Sequence, residues 1–225
     1  MHRFTGQILA TVLLATGAIT ANAQEIKIGS VIYLQNKFSA GGRDHFLDTQ
    51  GRVKDNHKDK QQHNLFVLTN SSKDRDKGSG SWKVISHSKK EGEPLAYGDR
   101  ISLQNMHPNA GYLDEGDDMW ADEYGPLFKR RGREINDYPV FTANVAKDNS
   151  ETWIVGGRPN VKSGAVVKAG EWITLEAASH PGHFLRAGFL AQELPKFKSY
   201  GARNLVYTSN SHFGQGENLW IPILK

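Results

Sequence analysis

Apolar and polar residues alternate in short stretches along this chain, and the stretches recur in one fixed order. The first kind reads Gly29-Ser-Val-Ile-Tyr-Leu34-Gln-Asn36, Gly98-Asp-Arg-Ile-Ser-Leu103-Gln-Asn105 and Gly170-Glu-Trp-Ile-Thr-Leu175-Glu-Ala177. A turn glycine followed by apolar residues at every second position predicts a strand with one buried face. A second kind follows each of these: Phe46-Leu47-Asp48, Tyr112-Leu113-Asp114 and Phe184-Leu185-Arg186. A third kind is Phe66-Val-Leu-Thr-Asn70, Val140-Phe-Thr-Ala-Asn144 and Val206-Tyr-Thr-Ser-Asn210, and a fourth centres on Trp82, Trp153 and Trp220. Turn formers separate them, among them Ala40-Gly41-Gly42, Pro108-Asn109-Ala110-Gly111 and His180-Pro181-Gly182.

Four short strand-like elements thus recur three times with a period of about 70 residues, the signature of an internal repeat. Three of the chain's 5 tryptophans hold the equivalent place in each unit. One such unit cannot bury its apolar face alone. Three closing around a common axis can, and they leave little sheet edge exposed. The expected fold is all-β, with repeats at about 26–90, 91–160 and 161–225 and with Leu and Trp side chains filling a shared core. Glycine at 23 of 225 residues suits turn-rich β structure.

The first residues stand apart from this pattern. Arg3, the apolar run Ile8–Leu14 and Ala21-Asn22-Ala23 before Gln24 have the order of a secretory leader. The run is too short to cross a bilayer. Residues 1–23 are therefore expected to be a signal peptide and 24–225 the domain, placed in the periplasm or outside the cell. The chain has no cysteine, which excludes disulfides, thiolate metal sites and cysteine nucleophiles. Lys plus Arg number 28 and Asp plus Glu 24. The signs are interspersed, whereas a nucleic-acid binder concentrates positive charge on one face.

The repeats resemble β-trefoil domains across about residues 26–225. The Gly-x-x-Ile-x-Leu openings, the Tyr-Leu or Phe-Leu element and the closing Trp-x-Ile are similar to MIR domains. Phe-Leu-Asp before an apolar strand and a closing Trp resembles, more loosely, ricin-type lectin domains. The chain departs from the lectin pattern in its closings, Gly80-Ser81-Trp82, Glu151-Thr152-Trp153 and Asn218-Leu219-Trp220, where Gln-x-Trp is usual, and in its lack of cysteines. Each unit also carries a long loop after its second strand. The lectin resemblance implies that Asp48 and Asp114 accept hydrogen bonds from vicinal sugar hydroxyls, since both carboxylate oxygens are acceptors and a diol offers two donors. It implies a supporting role for Asn70 and Asn144, and loss or change of the site in the third unit, where Arg186 replaces the aspartate. The competing reading makes these aspartates and asparagines turn residues.

A second candidate is the segment 115–139. Its acid-rich half holds Glu115, Asp117, Asp118, Asp122 and Glu123, its basic half Lys129, Arg130, Arg131 and Arg133, with Trp120, Tyr124 and Phe128 between. Long loops in compact domains tend to carry function, and aromatic residues beside charges suit a protein-binding hot spot. The alternative is a solvated loop folded on itself by opposite charges. Asp114, Glu115, Asp117 and Asp118 offer oxygen ligands to calcium, but not at EF-hand spacing. His180 and His183 flank Pro181-Gly182 with no third zinc ligand in sight. No G-x-S-x-G, H-E-x-x-H or P-loop occurs.

The expectation is an exported, monomeric, non-catalytic β-trefoil of three four-stranded repeats with long inserted loops. It needs no cofactor or metal, binds no nucleic acid and has no membrane span. Its partner is a glycan or glycoprotein bound through Asp48, Asn70, Asp114, Asn144, Trp120 and Tyr124, or alternatively a protein engaged by the 115–139 loop. A hydrolase of no known motif is the third reading.

Overall fold

The structure is a computed structural model that describes residues 23–36, 45–53, 63–108, 110–116, 137–144, 149–191, 197, 201–210 and 216–225. Residues 1–22 of the expected leader, the connector at 40–42 and most of the 115–139 loop, with Trp120, Tyr124 and Phe128, lie outside these residues. The described residues are all-β, as the alternation predicts. Twelve strands run through them: β1 (Val31–Asn36), β2 (His45–Arg52), β3 (His63–Asn70), β4 (Trp82–Ser86), β5 (Arg100–Asn105), β6 (Tyr112–Glu115), β7 (Tyr138–Ala143), β8 (Trp153–Gly156), β9 (Thr174–Ala177), β10 (Phe184–Leu190), β11 (Asn204–Ser209) and β12 (Trp220–Leu224).

Six strands close on themselves. β1 pairs with β4, β4 with β5, β5 with β8, and β8 with β9. The ring is completed by an Ile173–Trp220 bridge and by β12 on β1. The other six form three hairpins, β2–β3, β6–β7 and β10–β11. Their inner strands β3, β7 and β11 pair with one another in a triangle that covers one end of the ring.

Residues at matching positions of the recurring sequence stretches make matching contacts. Trp82, Trp153 and Trp220 are fully buried. Their indole N–H groups donate to the carbonyls of Leu47, Leu113 and Leu185 at 3.1, 3.1 and 3.0 Å. Each closing tryptophan thus fills the core and ties its unit's last strand to its second, satisfying the polar atom that burial would otherwise strand. Leu34, Leu103 and Leu175 share that core with Val67, Val140 and Val206 from the triangle. The turn glycines Gly29, Gly98 and Gly170 have φ of 89°, 96° and 85°, a left-handed region that disfavours any Cβ. Each also donates its N–H across the ring, to Val84, Val155 and Pro222.

The end opposite the triangle is closed by backbone that no strand pattern announced. Ile26 N–H donates to the Val167 carbonyl, Val167 N–H to Leu95, and Leu95 N–H to Ile26, at 2.9, 2.8 and 2.8 Å. This cycle joins the segments leading into β1, β5 and β9, and its three apolar side chains plug the core. Asn36 and Asn105, which follow the first two leucine anchors, donate their side-chain amides to the carbonyls of Glu217 and Ser79 in the neighbouring units. The repeated Gln-Asn therefore marks contacts between units.

Candidate functional site

Asp48 and Asp114 occupy the same place in β2 and β6, as their spacing from the leucines predicts, but that place is inside the molecule. They are 0% and 1% exposed. Ser150 donates to Asp114 Oδ1 at 2.6 Å. Asp48 Oδ2 accepts from Gln50 and from the Arg75 guanidinium at 3.0 and 3.2 Å. Burial, opposed by Ser79 and Arg75, holds the Asp48 carboxyl above the usual carboxylate range. In the third unit Arg186 lies 3.7 Å from Glu217. Glu217 stands where the other units have Ser79 and Ser150, since the next strand residue donates its N–H to each of these three carbonyls. Aspartate with serine, twice, and arginine with glutamate, once, are interchangeable ties between the second strand and the turn before the closing tryptophan. Both carboxylates, the candidates for a sugar diol, thus lie inside the molecule with protein partners.

The asparagines differ in register. Leu47, Leu113 and Leu185 pair with Thr69, Thr142 and Thr208. This register makes Asn70 the counterpart of Ala143 and Ser209, one position before Asn144 and Asn210. Asn70 is buried and its Oδ1 accepts from Ser72 N–H. Asn144 is exposed. The structure does not bring the two into equivalent sites.

Glu115, the first residue of the acid-rich loop, turns inward instead of toward a cation. It is 1% exposed and accepts from His180 Nδ1 at 2.6 Å, from Ser179 and from Thr208. The His180 ring stacks on Tyr138 with centroids 4.1 Å apart. His183 lies beside both rings, and burial keeps its imidazole below its usual pKa, against the pull of Glu115 and Asp137 and with the help of His180. Among the described residues no group of three His, Cys, Asp or Glu could hold a metal ion. The cluster joins the second unit to the third.

A concave feature lies at the other end, beside the backbone cycle. A groove of about 600 Å³ is lined by Tyr97, Arg158, Val161, Ala165, Val166, Lys168, Gly170, Glu171 and Trp172. It forms where the threefold pattern is broken. Tyr97, just before Gly98, stands where the other units have Ile28 and Ala169, and Trp172 stands where they have Val31 and Arg100. Tyr97 is 6% exposed and forms the floor. Its hydroxyl donates to Glu171 and to the Trp172 carbonyl at 3.3 and 3.4 Å. Burial and the neighbouring Glu171 carboxylate push its pKa up to about 12, so the proton stays on the phenol. Glu171 Oε2 also accepts from Lys168 N–H, a turn cap that Ser30 and Asp99 supply in the other units. Arg158 lays its guanidinium over the Trp172 indole, 4.6 Å from the ring centroid. Val161, 40% exposed, forms an apolar rim. Gly157 lets the loop pass this close: a Cβ there would sit 2.9 Å from the Tyr97 ring and from Val161.

Trp172 lies 75 and 14 residues from Tyr97 and Arg158, too far for local pattern to join the three. The available signal was the pair of bulky aromatics at positions where the sister units carry smaller or charged residues.

No family model matches the chain, and no curated protein matches it by sequence. Its fold is shared with solved structures. One is a Caenorhabditis elegans protein of unknown function, at 15% identity over 90% of this chain and 97% of that one, with a TM-score of 0.57. Another is the SDF2-like protein of Arabidopsis thaliana, at 15% identity over 88% of this chain and 94% of that one, with a TM-score of 0.59. A third is the S. cerevisiae protein O-mannosyltransferase Pmt1-Pmt2 complex bound to the sugar donor, at 16% identity and a TM-score of 0.62. That match covers 89% of this chain but 25% of the transferase chain. At these identities the likeness is one of fold.

Proposed function

We propose that this chain is an exported, non-catalytic β-trefoil of MIR-like type that recognises carbohydrate through the groove at Tyr97, Arg158 and Trp172. The observation that carries the reading is the groove itself. It has the size usual for small-molecule sites, apolar and aromatic walls, and a few converging polar groups. It also forms where Tyr97 and Trp172 replace the residues at matching positions of the other sequence repeats. Pyranose rings present apolar C–H faces and rims of hydroxyls, which match Val161 and the aromatic walls on one hand and Arg158 and Lys168 on the other. Fold likeness to a mannosyltransferase complex bound to a sugar donor and to an SDF2-like protein supports a MIR-like binding module. Export rests on the leader pattern of residues 1–23.

A glycan array probed with the purified protein tests this, alongside Trp172→Ala and Tyr97→Ala. Binding that both variants abolish, with circular dichroism unchanged, supports the groove. A protein that binds no glycan, or whose binding survives Trp172→Ala, overturns it.

A further inference from the structure

We infer that the groove selects acidic saccharides, with Arg158 gripping a sugar carboxylate; this rests on the carbohydrate reading above. The chemistry of its charged groups is uneven. Its one carboxylate, Glu171, is already engaged, taking the Tyr97 hydroxyl and the Lys168 backbone N–H. Its two cations are not matched in the same way. Among the described residues neither Arg158 nor Lys168 has a carboxylate partner, whereas Lys89, near the corresponding turn of the preceding junction, is tied to Asp99 at 2.6 Å. With Arg158 and Lys168 against Glu171, the groove carries a net charge of +1, and neither cation is held in an ion pair among the described residues.

Arg158 is also held ready. Its guanidinium rests on the Trp172 indole, a contact that favours a cation over the ring face and limits the freedom of an otherwise flexible side chain. That stack covers one indole face, so a sugar ring cannot lie there while the stack stands. Trp172 acts as a shelf for the guanidinium, and recognition falls to the Arg158 fork. A planar guanidinium pairs with a planar carboxylate through two parallel hydrogen bonds. Hexuronate units supply that carboxylate, and Val161 at the rim takes the C–H face of the ring. A sulfate ester also offers two oxygens to such a fork, so a sulfated probe belongs beside the hexuronate in the test.

Isothermal titration of the purified protein with a hexuronate oligomer, a neutral hexose oligomer of equal length and a sulfated oligosaccharide tests the inference. The hexuronate should bind at least tenfold more tightly than the neutral oligomer and no more weakly than the sulfated one, and its binding should weaken as salt rises. Arg158→Gln should lose tenfold or more. Arg158→Lys, which keeps charge without the fork, should lose nearly as much. Lys83→Gln, which removes one charge far from the groove, should change nothing. Because Arg158 is exposed, its variants are expected to fold, and the wild-type selectivity decides the matter even if they do not. Equal or tighter binding of the neutral oligomer, still lost in Trp172→Ala, overturns the acidic preference and leaves the carbohydrate reading standing. Tightest binding to the sulfated probe overturns the carboxylate assignment. Absence of binding to all three overturns the carbohydrate reading together with the inference.

Discussion

Replacing each closing tryptophan by phenylalanine isolates what these three side chains contribute to the core. Trp82, Trp153 and Trp220 are all fully buried, and each indole N–H ends on a leucine carbonyl about 3 Å away. Phenylalanine keeps an aromatic ring but removes the donor and part of the ring volume. The lost apolar burial is on the order of 1 kcal/mol. A carbonyl deprived of its donor inside the core adds about 1–3 kcal/mol. Each variant should therefore lose about 2–4 kcal/mol. For a domain of this size that is a fall in Tm of roughly 4–16 °C. Urea unfolding followed by circular dichroism measures it, with an unchanged m-value showing that stability alone has moved. Because the three sites are physically alike, the three costs should agree to within about 1 kcal/mol, a typical scatter between equivalent contacts. Trp172→Phe, at a half-buried groove residue, should cost less than any of them. Losses below about 1 kcal/mol, or one variant unfolding while another is silent, would refute the equivalence.

Two further outcomes follow from buried titrating groups. Burial raises the Asp48 carboxyl pKa, so the folded state favours its neutral form. The associated stability is present at pH below the unfolded value of about 3.9 and is lost as pH rises through the folded one. Asp48→Asn should hold or gain stability relative to wild type as pH goes from 4 to 8 in thermal melts, whereas Asp48→Ala, which strands Arg75 and Gln50, should lose it throughout; an Asn variant that falls behind with rising pH contradicts this. His183 runs the opposite way: its pKa is depressed, so its contribution is present above the unfolded value of about 6.5 and is lost as pH falls through the folded one. The Tm of the wild type should drop more steeply between pH 7 and 5 than that of His183→Gln, and parallel curves would contradict the assignment.

Local pattern revealed the repeats because each unit states its core in the same residues. Leucine 5 positions after the turn glycine, leucine in the second strand and tryptophan in the fourth are read from spacing alone. What escaped was set by residues distant in sequence. The cycle of Ile26, Leu95 and Val167 joins segments about 70 residues apart, and each contributes only a bond or two, too little to show a strand period. The third element was aligned on Asn70, Asn144 and Asn210, yet the chain aligns on Thr69, Thr142 and Thr208, which face the leucines. A one-residue slip of this kind changes which face a side chain occupies. Asp48 and Asp114 were found correctly as equivalent positions. Their burial was hidden because the groups that satisfy them, Arg75 and Ser150, lie 27 and 36 residues downstream. Two aspartates made a sugar site plausible; Arg186 with Glu217 in the third unit was the clue to a structural tie.

The indole N–H region of a 15N correlation spectrum addresses the division between repeated core and singular groove in one titration. Three indole signals, from Trp82, Trp153 and Trp220, should resist exchange with deuterium and stay still when an oligosaccharide is added. The Trp172 signal should move, together with backbone signals of residues 157–172. A Trp172 signal that stands still while those of Asp48, Asp114 and their strands shift would place the ligand at the repeated carboxylates and contradict the account.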